Sequence, residues 1–150
     1  MKIVIQRVSE ASVTINEIKV ASIKKGMLLF VGIVEDDTEE DINFLVRKIL
    51  KLRIFNDEDA VMNKSVVDIN GDILVVSQFT LHAATKKGSR PSYIKAAKSK
   101  IALPLYAQFI STLEKEGQKK VQIGAFGADM KVALLNDGPV TIIIDSKAKE

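Results

Sequence analysis

The 150-residue chain contains no cysteine, and His82 is its only histidine. Without thiols there is no disulfide framework, no thiolate metal site and no cysteine nucleophile. One imidazole cannot build a multi-histidine zinc site, nor act as metal ligand in one place and base in another. No metal and no cofactor is expected. No apolar run approaches about 18 residues, and the stretch Ile3-Val4-Ile5 after Lys2 is too short for a signal peptide. The sequence therefore predicts a soluble, cytoplasmic protein with no membrane partner. It also lacks a Gly-rich loop of the P-loop or dinucleotide type. There is no internal repeat, low-complexity tract or linker.

What is present suits one globular domain over residues 1–150. Apolar residues make up 47% and charged residues 27%, ordinary values for a folded soluble chain. The net charge of +3 is mild, but its distribution is uneven. Residues 35–41, from Glu35 to Asp41, are acidic apart from Thr38. They lie at a predicted helix start, where carboxylates favour the positive end of the helix dipole. Lys86, Lys87, Arg90, Lys95, Lys98 and Lys100 form a basic stretch without an acid. Such a stretch suits either a phosphate backbone or a solvated loop and helix face.

Hydrophobic periodicity predicts strands over Lys2–Ser9 and Ala11–Ile15, with Asn16-Glu17 turning the chain into Ile18–Ile23. The continuous apolar run Met27–Val34 reads as a strand buried on both faces. Thr38 with Asp41 resembles a capping box, and Ile42, Leu45, Val46, Ile49 and Leu50 follow at helical spacing. Asn70-Gly71-Asp72 leads into a second buried strand, Ile73–Leu81. Pro91 is expected to open a short helix through Lys98. A longer helix runs from about residue 101 or 104 to Glu116, ended by Gly117. Strands at Val121–Phe126, Met130–Leu135 and Val140–Asp145 close the chain. About eight strands at hairpin spacing with two main helices predict an α+β fold with a largely antiparallel, barrel-like sheet.

Two segments carry the chemistry. In Ser77-Gln78-Phe79-Thr80-Leu81, polar residues end a strongly apolar strand. That pattern suits a pocket mouth, or simply hydroxyls that satisfy strand-end backbone groups. On a continued strand, Thr80 and His82 would share a face, so His82 is the one base within reach of a Thr80 nucleophile. In Asn136-Asp137-Gly138-Pro139, a hairpin turn is one reading. A proline next to a strand start is unusual there, because it cannot donate to the ladder. A cis Gly138-Pro139 bond would instead aim two carbonyls to one side, forming an acceptor site for an ammonium group.

Together with these segments, Met1-Lys2-Ile3-Val4-Ile5-Gln6-Arg7-Val8, Gly26–Ile33, Gly88-Ser89-Arg90-Pro91-Ser92-Tyr93 and Gly124-Ala125-Phe126-Gly127-Ala128-Asp129-Met130 stand in an order that resembles the D-aminoacyl-tRNA deacylases carrying a Gly-cisPro motif. The resemblance covers essentially the whole chain. It implies a homodimer with its active sites at the interface. Ser77, Gln78, Phe79 and Thr80 would form the catalytic wall in one subunit. Gly138 and Pro139 would enter from the other and select chirality, with Met130 near the pocket wall and Arg7 holding the Gly-Pro element. The substrate would be a D-amino acid, or mischarged glycine, esterified to the 3′-terminal adenosine of tRNA. Lys86, Lys87, Arg90 and Lys95 would contact the tRNA. Two other readings stand beside it: a structured-RNA-binding homodimer without hydrolysis, and a purely structural homodimer.

Overall fold

A computed structural model describes residues 1–148 of the chain. The elements are β1 (Lys2–Ile15), β2 (Ile18–Ile23), β3 (Gly26–Gly32), α1 (Glu39–Lys51), β4 (Phe55–Asn56), β5 (Met62–Lys64), β6 (Asp72–Ser77), α2 (Ser99–Gly117), β7 (Gln122–Ile123) and β8 (Lys131–Asp145), with a 3-10 turn over Phe79–His82. No helix among the described residues is long and apolar enough to cross a membrane.

β1 is the spine. Its first half pairs antiparallel with β3, its second half with β2, and β8 runs antiparallel to it along nearly its whole length. The two predicted strands 2–9 and 11–15 are thus one. β3 pairs with β6, and β6 with β7, both parallel. The sheet is therefore mixed but largely antiparallel, as expected, with its parallel pairings confined to β3–β6–β7. The long crossover through α1 and the β4–β5 hairpin brings β6 back in the direction of β3, which a tight turn could not do.

The sheet is buried on both sides where the sequence is continuously apolar. Met27, Leu29, Val31, Ile73 and Val75 face a core shared with α1 and α2. Leu28, Leu74 and Val76 face a second core closed by Val8, Ala11, Val13, Ala21 and Ile23. Alternate residues of β3 and β6 thus fill two cores, as expected of strands covered on both faces. On α1, Asp41 accepts hydrogen bonds from the Thr38 backbone N–H (2.8 Å) and hydroxyl (3.2 Å). Burial pushes the Asp41 carboxyl up, but hydrogen bonds from Ser146, Lys147 and Thr38 outweigh it and hold the group well below the usual carboxylate range.

Further expectations are corrected. Pro91–Lys98 is not helical: isolated bridges Ala84–Ser92 and Val34–Ala96 pin it as an irregular loop. α2 begins at Ser99 and carries Pro104 inside; its end is marked by Gln118 in the left-handed conformation (φ 50°), one residue past Gly117. The strand expected over 121–126 is reduced to Gln122–Ile123. The strands expected at 130–135 and 140–145 are one element, β8, because both parts pair with β1.

Candidate active site

The site begins where β6 stops. Ile73–Val76 are buried, and the apolar pattern ends at Ser77. Gln78 N–H donates to the Val31 carbonyl at 2.8 Å, the last tie to β3. The backbone then leaves the sheet at Gln78 (φ −146°, ψ 84°) and closes the 3-10 turn. Gly32 lies beneath that turn. A Cβ at Gly32 would sit 3.0 Å from the Gln78 carbonyl oxygen, from Leu81 Cβ and from His82 Cδ2. The strand predicted to reach Leu81 therefore ends at Ser77, and Thr80 and His82 do not alternate along a strand face. The Thr80 hydroxyl accepts a 2.6 Å bond from Gln78 Nε2. His82 Nε2 is buried without a hydrogen-bond partner among the described residues, so no bond from it activates Thr80. As the turn opens, the N–H groups of Phe79 and Thr80 are the ones that 3-10 geometry leaves without an acceptor.

Ser77, Gln78, Phe79 and Met130 line one cavity of about 560 Å³, together with Tyr93 and the first turn of α2. Thr80 lies just outside this lining. Gly124 makes room for Met130: a Cβ there would collide with Met130 Sδ. Behind the cavity floor the buried Tyr106 hydroxyl donates to the Val75 carbonyl at 3.2 Å. Burial pushes the Tyr106 hydroxyl up to about 12, so it stays protonated through the neutral range.

Gly138 and Pro139 do not line this cavity in the same chain. They lie in a bulge of β8: Asn136 pairs with Val8 and Thr141 with Gln6, so four residues, 137–140, stand opposite Arg7. Both are exposed, and the Gly138-Pro139 peptide is cis. Gly138 has φ +128°, and a Cβ there would meet Arg7 Nη2 at 2.8 Å and Val140 Cγ2 at 2.9 Å. The buried Arg7 sits under the bulge. Its Nε donates to the Asp137 carbonyl at 3.0 Å, and Nη1 to the Ile54 carbonyl at 2.6 Å. Nη1 also reaches Asn56 Oδ1 at 3.4 Å. Arg7 thereby joins the bulge to the β4–β5 hairpin. By residue pattern, 56–64 reads only as a polar loop. Asp57 organises it, accepting from Asp59 N–H (2.9 Å), Val61 N–H (3.0 Å) and Asn63 Nδ2 (2.8 Å). An Asp opening a polar run is the signal the sequence offers for this.

Lys86, Lys87, Arg90 and Lys95 are all exposed on the loop between the 3-10 turn and α2. The loop also carries Tyr93, whose ring meets that of Phe79 edge to face at 5.1 Å between centroids. Nothing in the sequence pairs these two residues, which stand far apart along the chain. Among the described residues, no group of three or more His, Cys, Asp or Glu side chains could hold a metal ion.

Comparison with known proteins decides the family. A profile described as D-Tyr-tRNA(Tyr) deacylase matches residues 4–145. The D-aminoacyl-tRNA deacylase of Flavobacterium psychrophilum is 68% identical over 150 residues, covering 100% of both chains. This chain belongs to the D-Tyr-tRNA(Tyr) deacylase family. A second deacylase relative, from Flavobacterium johnsoniae, is 64% identical over the full length of both chains. Among solved structures, one described as "c-Myc DNA Unwinding Element Binding Protein" superposes with a TM-score of 0.93 at 41% identity, covering 99% of this chain and 100% of that one. The deacylase family match spans β1, the cavity corner and the β8 bulge alike.

Proposed function

We propose that this chain hydrolyses the ester of D-aminoacyl-tRNA, and of glycine mischarged on tRNA, to free amino acid and tRNA in the cytoplasm. The observation that carries the reading is the corner at the end of β6, where Ser77, Gln78 and Phe79 line a cavity, in a chain that matches deacylases from end to end. Water adds to the ester carbonyl. The oxyanion accepts hydrogen bonds from the Phe79 and Thr80 N–H groups, each preorganised donor contributing about 2.7–4 kcal/mol. The terminal ribose 3′-oxygen leaves and takes up a proton. The adjacent 2′-hydroxyl assists the attacking water, so the protein need supply no thiol, metal or triad. A Thr80→Ala protein that still cleaves the D ester excludes a covalent route through Thr80.

In this reading the protein is a homodimer, and the partner's Gly138 and Pro139 complete each cavity. β8 supports it: Leu134, Leu135 and Ile143 on either side of the bulge are exposed, an apolar strip that a second copy would cover. The two carbonyls of the inserted bulge hold the α-ammonium. A D side chain then points to open space, an L side chain strikes backbone, and glycine passes. Handedness is read by exclusion, not by side-chain fit. Lys86, Lys87, Arg90 and Lys95 neutralise phosphates of the tRNA acceptor end.

Mixed-dimer complementation tests the architecture. When subunits of a Gln78→Ala protein and a Gly138→Ala protein, each impaired alone, are exchanged, the mixed dimers should contribute about a quarter of wild-type activity beyond what the parents retain, since half the dimers are mixed and each holds one intact site. No recovery despite demonstrated exchange excludes a site shared between subunits. The name of the 41% identical solved structure favours one second reading, nucleic-acid binding without hydrolysis. D-tyrosyl-tRNA and L-tyrosyl-tRNA separate the two: release from the D ester alone supports the enzyme, and protection of both without release supports the binder.

A further inference from the structure

The cavity mouth carries an arrangement that ester hydrolysis does not use. Phe79 is 55% exposed and Tyr93 40% exposed, yet their rings are locked edge to face at 5.1 Å. Large aromatic rings that hold each other in place and still face solvent are preorganised surfaces for a flat partner. Tyr93 is fixed from both sides of its loop. Ser92 and Ala84 exchange backbone hydrogen bonds of 2.8 and 2.9 Å, Ala96 N–H returns to the Tyr93 carbonyl at 3.0 Å, and Ala97 N–H donates to the Ile33 carbonyl at 2.9 Å. The surrounding loop supplies Arg90, Lys95 and Lys98 with no acidic residue between them. Lys98 lines the cavity with Tyr93.

We infer that Tyr93 is a stacking platform for the unpaired nucleotide next to the terminal adenosine of the RNA 3′ end. Unpaired bases are recognised by stacking on aromatic rings beside a basic track for the backbone. Here ring, track and reaction cavity are continuous. The terminal nucleoside, whose ester reacts, occupies the cavity behind Phe79. The next base along the strand meets Tyr93 at the mouth, and the phosphate between them lies toward Lys95 and Lys98. The inference rests on the deacylase reading for its substrate, but not for its test. Stacking is indifferent to sequence, so the site would accept any base at that position and still register that the end is single-stranded.

The test uses the full-length protein and an acceptor-stem RNA carrying 2-aminopurine at the penultimate position, with no amino acid attached. Wild-type protein should quench the fluorophore, Tyr93→Ala should not, and Tyr93→Phe should restore the quench. Affinity should fall about 5- to 150-fold in Tyr93→Ala, the range for loss of one base–aromatic stack. Absence of quenching in the wild type, or equal quenching in Tyr93→Ala, overturns the inference whether or not the protein hydrolyses anything. A second arm uses activity. Tyr93→Ala should raise KM on D-aminoacyl-tRNA with kcat largely kept, and the loss should be at least about fivefold smaller on D-aminoacyl-adenosine, which lacks the penultimate nucleotide. Equal losses on both substrates would place Tyr93 on the terminal nucleoside instead and overturn the assignment. A wild-type protein that quenches but releases no D-amino acid would leave the platform standing and remove the enzyme.

Discussion

The strand-end cavity and the β8 bulge solve opposite problems. The cavity is concave and borders an apolar core, and Ser77, Gln78, Lys98, Ser99 and Asp129 bring polar groups to its lining. The bulge is convex and exposed, and it is held from below by one buried guanidinium. One region has a shape with a side open; the other is a shape with nothing in its own chain to fit. Their difference is the reason the proposed site draws on both: the first supplies reaction chemistry, the second supplies geometry at the α-carbon. Each can be damaged separately.

The largest effect should come from the substrate. Replacing the terminal 2′-hydroxyl by hydrogen should slow turnover by about 10²–10⁴-fold, the usual weight of a positioned proton-transfer group. D-over-L preference in binding should persist, because the bulge is untouched. Unchanged single-turnover rates would remove the RNA-assisted step.

Gly138→Ala attacks the other region. At φ +128°, with Arg7 Nη2 2.8 Å from the new Cβ, the strain is of the order of 1–3 kcal/mol. The D-ester rate should fall about 5- to 150-fold and the D/L ratio should shrink with it. Circular dichroism melting and paired D and L ester assays check this; an intact D/L ratio would show that the bulge does not read handedness.

Arg7→Lys keeps the charge but loses the fork that reaches both Asp137 and Ile54. Stability should drop by about 1.5–3 kcal/mol, the value of a charge-assisted hydrogen bond, measured by urea denaturation. Selectivity should weaken more than D-ester kcat, since Arg7 supports the bulge and not the amides. The smallest effect is electrostatic. Lys86→Gln and Lys87→Gln should each flatten the log–log salt dependence of tRNA affinity by about 0.7–0.9 per lost phosphate contact. A slope unchanged in both variants would move the RNA path away from this loop.

The elements most legible in the sequence are those whose neighbours in space are also neighbours in pattern. The apolar runs of β3 and β6 announce strands covered on both faces, and Thr38 with Asp41 announces the start of α1. The direction of β6 is not legible, because parallel pairing is a property of the crossover and not of either strand. The fusion of 130–135 with 140–145 is hidden for a similar reason: Gly138-Pro139 has the composition of a turn, and only pairing of both flanks with β1 shows it to be a bulge. At the site, the residue pattern and the family resemblance single out Ser77, Gln78, Phe79 and Met130, and these four share one cavity. The strand end falls four residues earlier than the pattern predicts, at Ser77 rather than Leu81, because nothing in Ser77–Leu81 reveals that Gly32 leaves space for a turn. Tyr93 escapes a reading by pattern because its partnership with Phe79 spans a loop.

That space at Gly32 has a consequence of its own. The height of the amide corner above the sheet is set by a missing methyl on the neighbouring strand β3. An alanine there would act as a shim, tilting Gln78, Leu81 and His82 outward together while leaving every residue that borders the cavity chemically intact. The placement of the Phe79–Thr80 backbone is thus governed from underneath, by a position whose whole contribution is to stay empty.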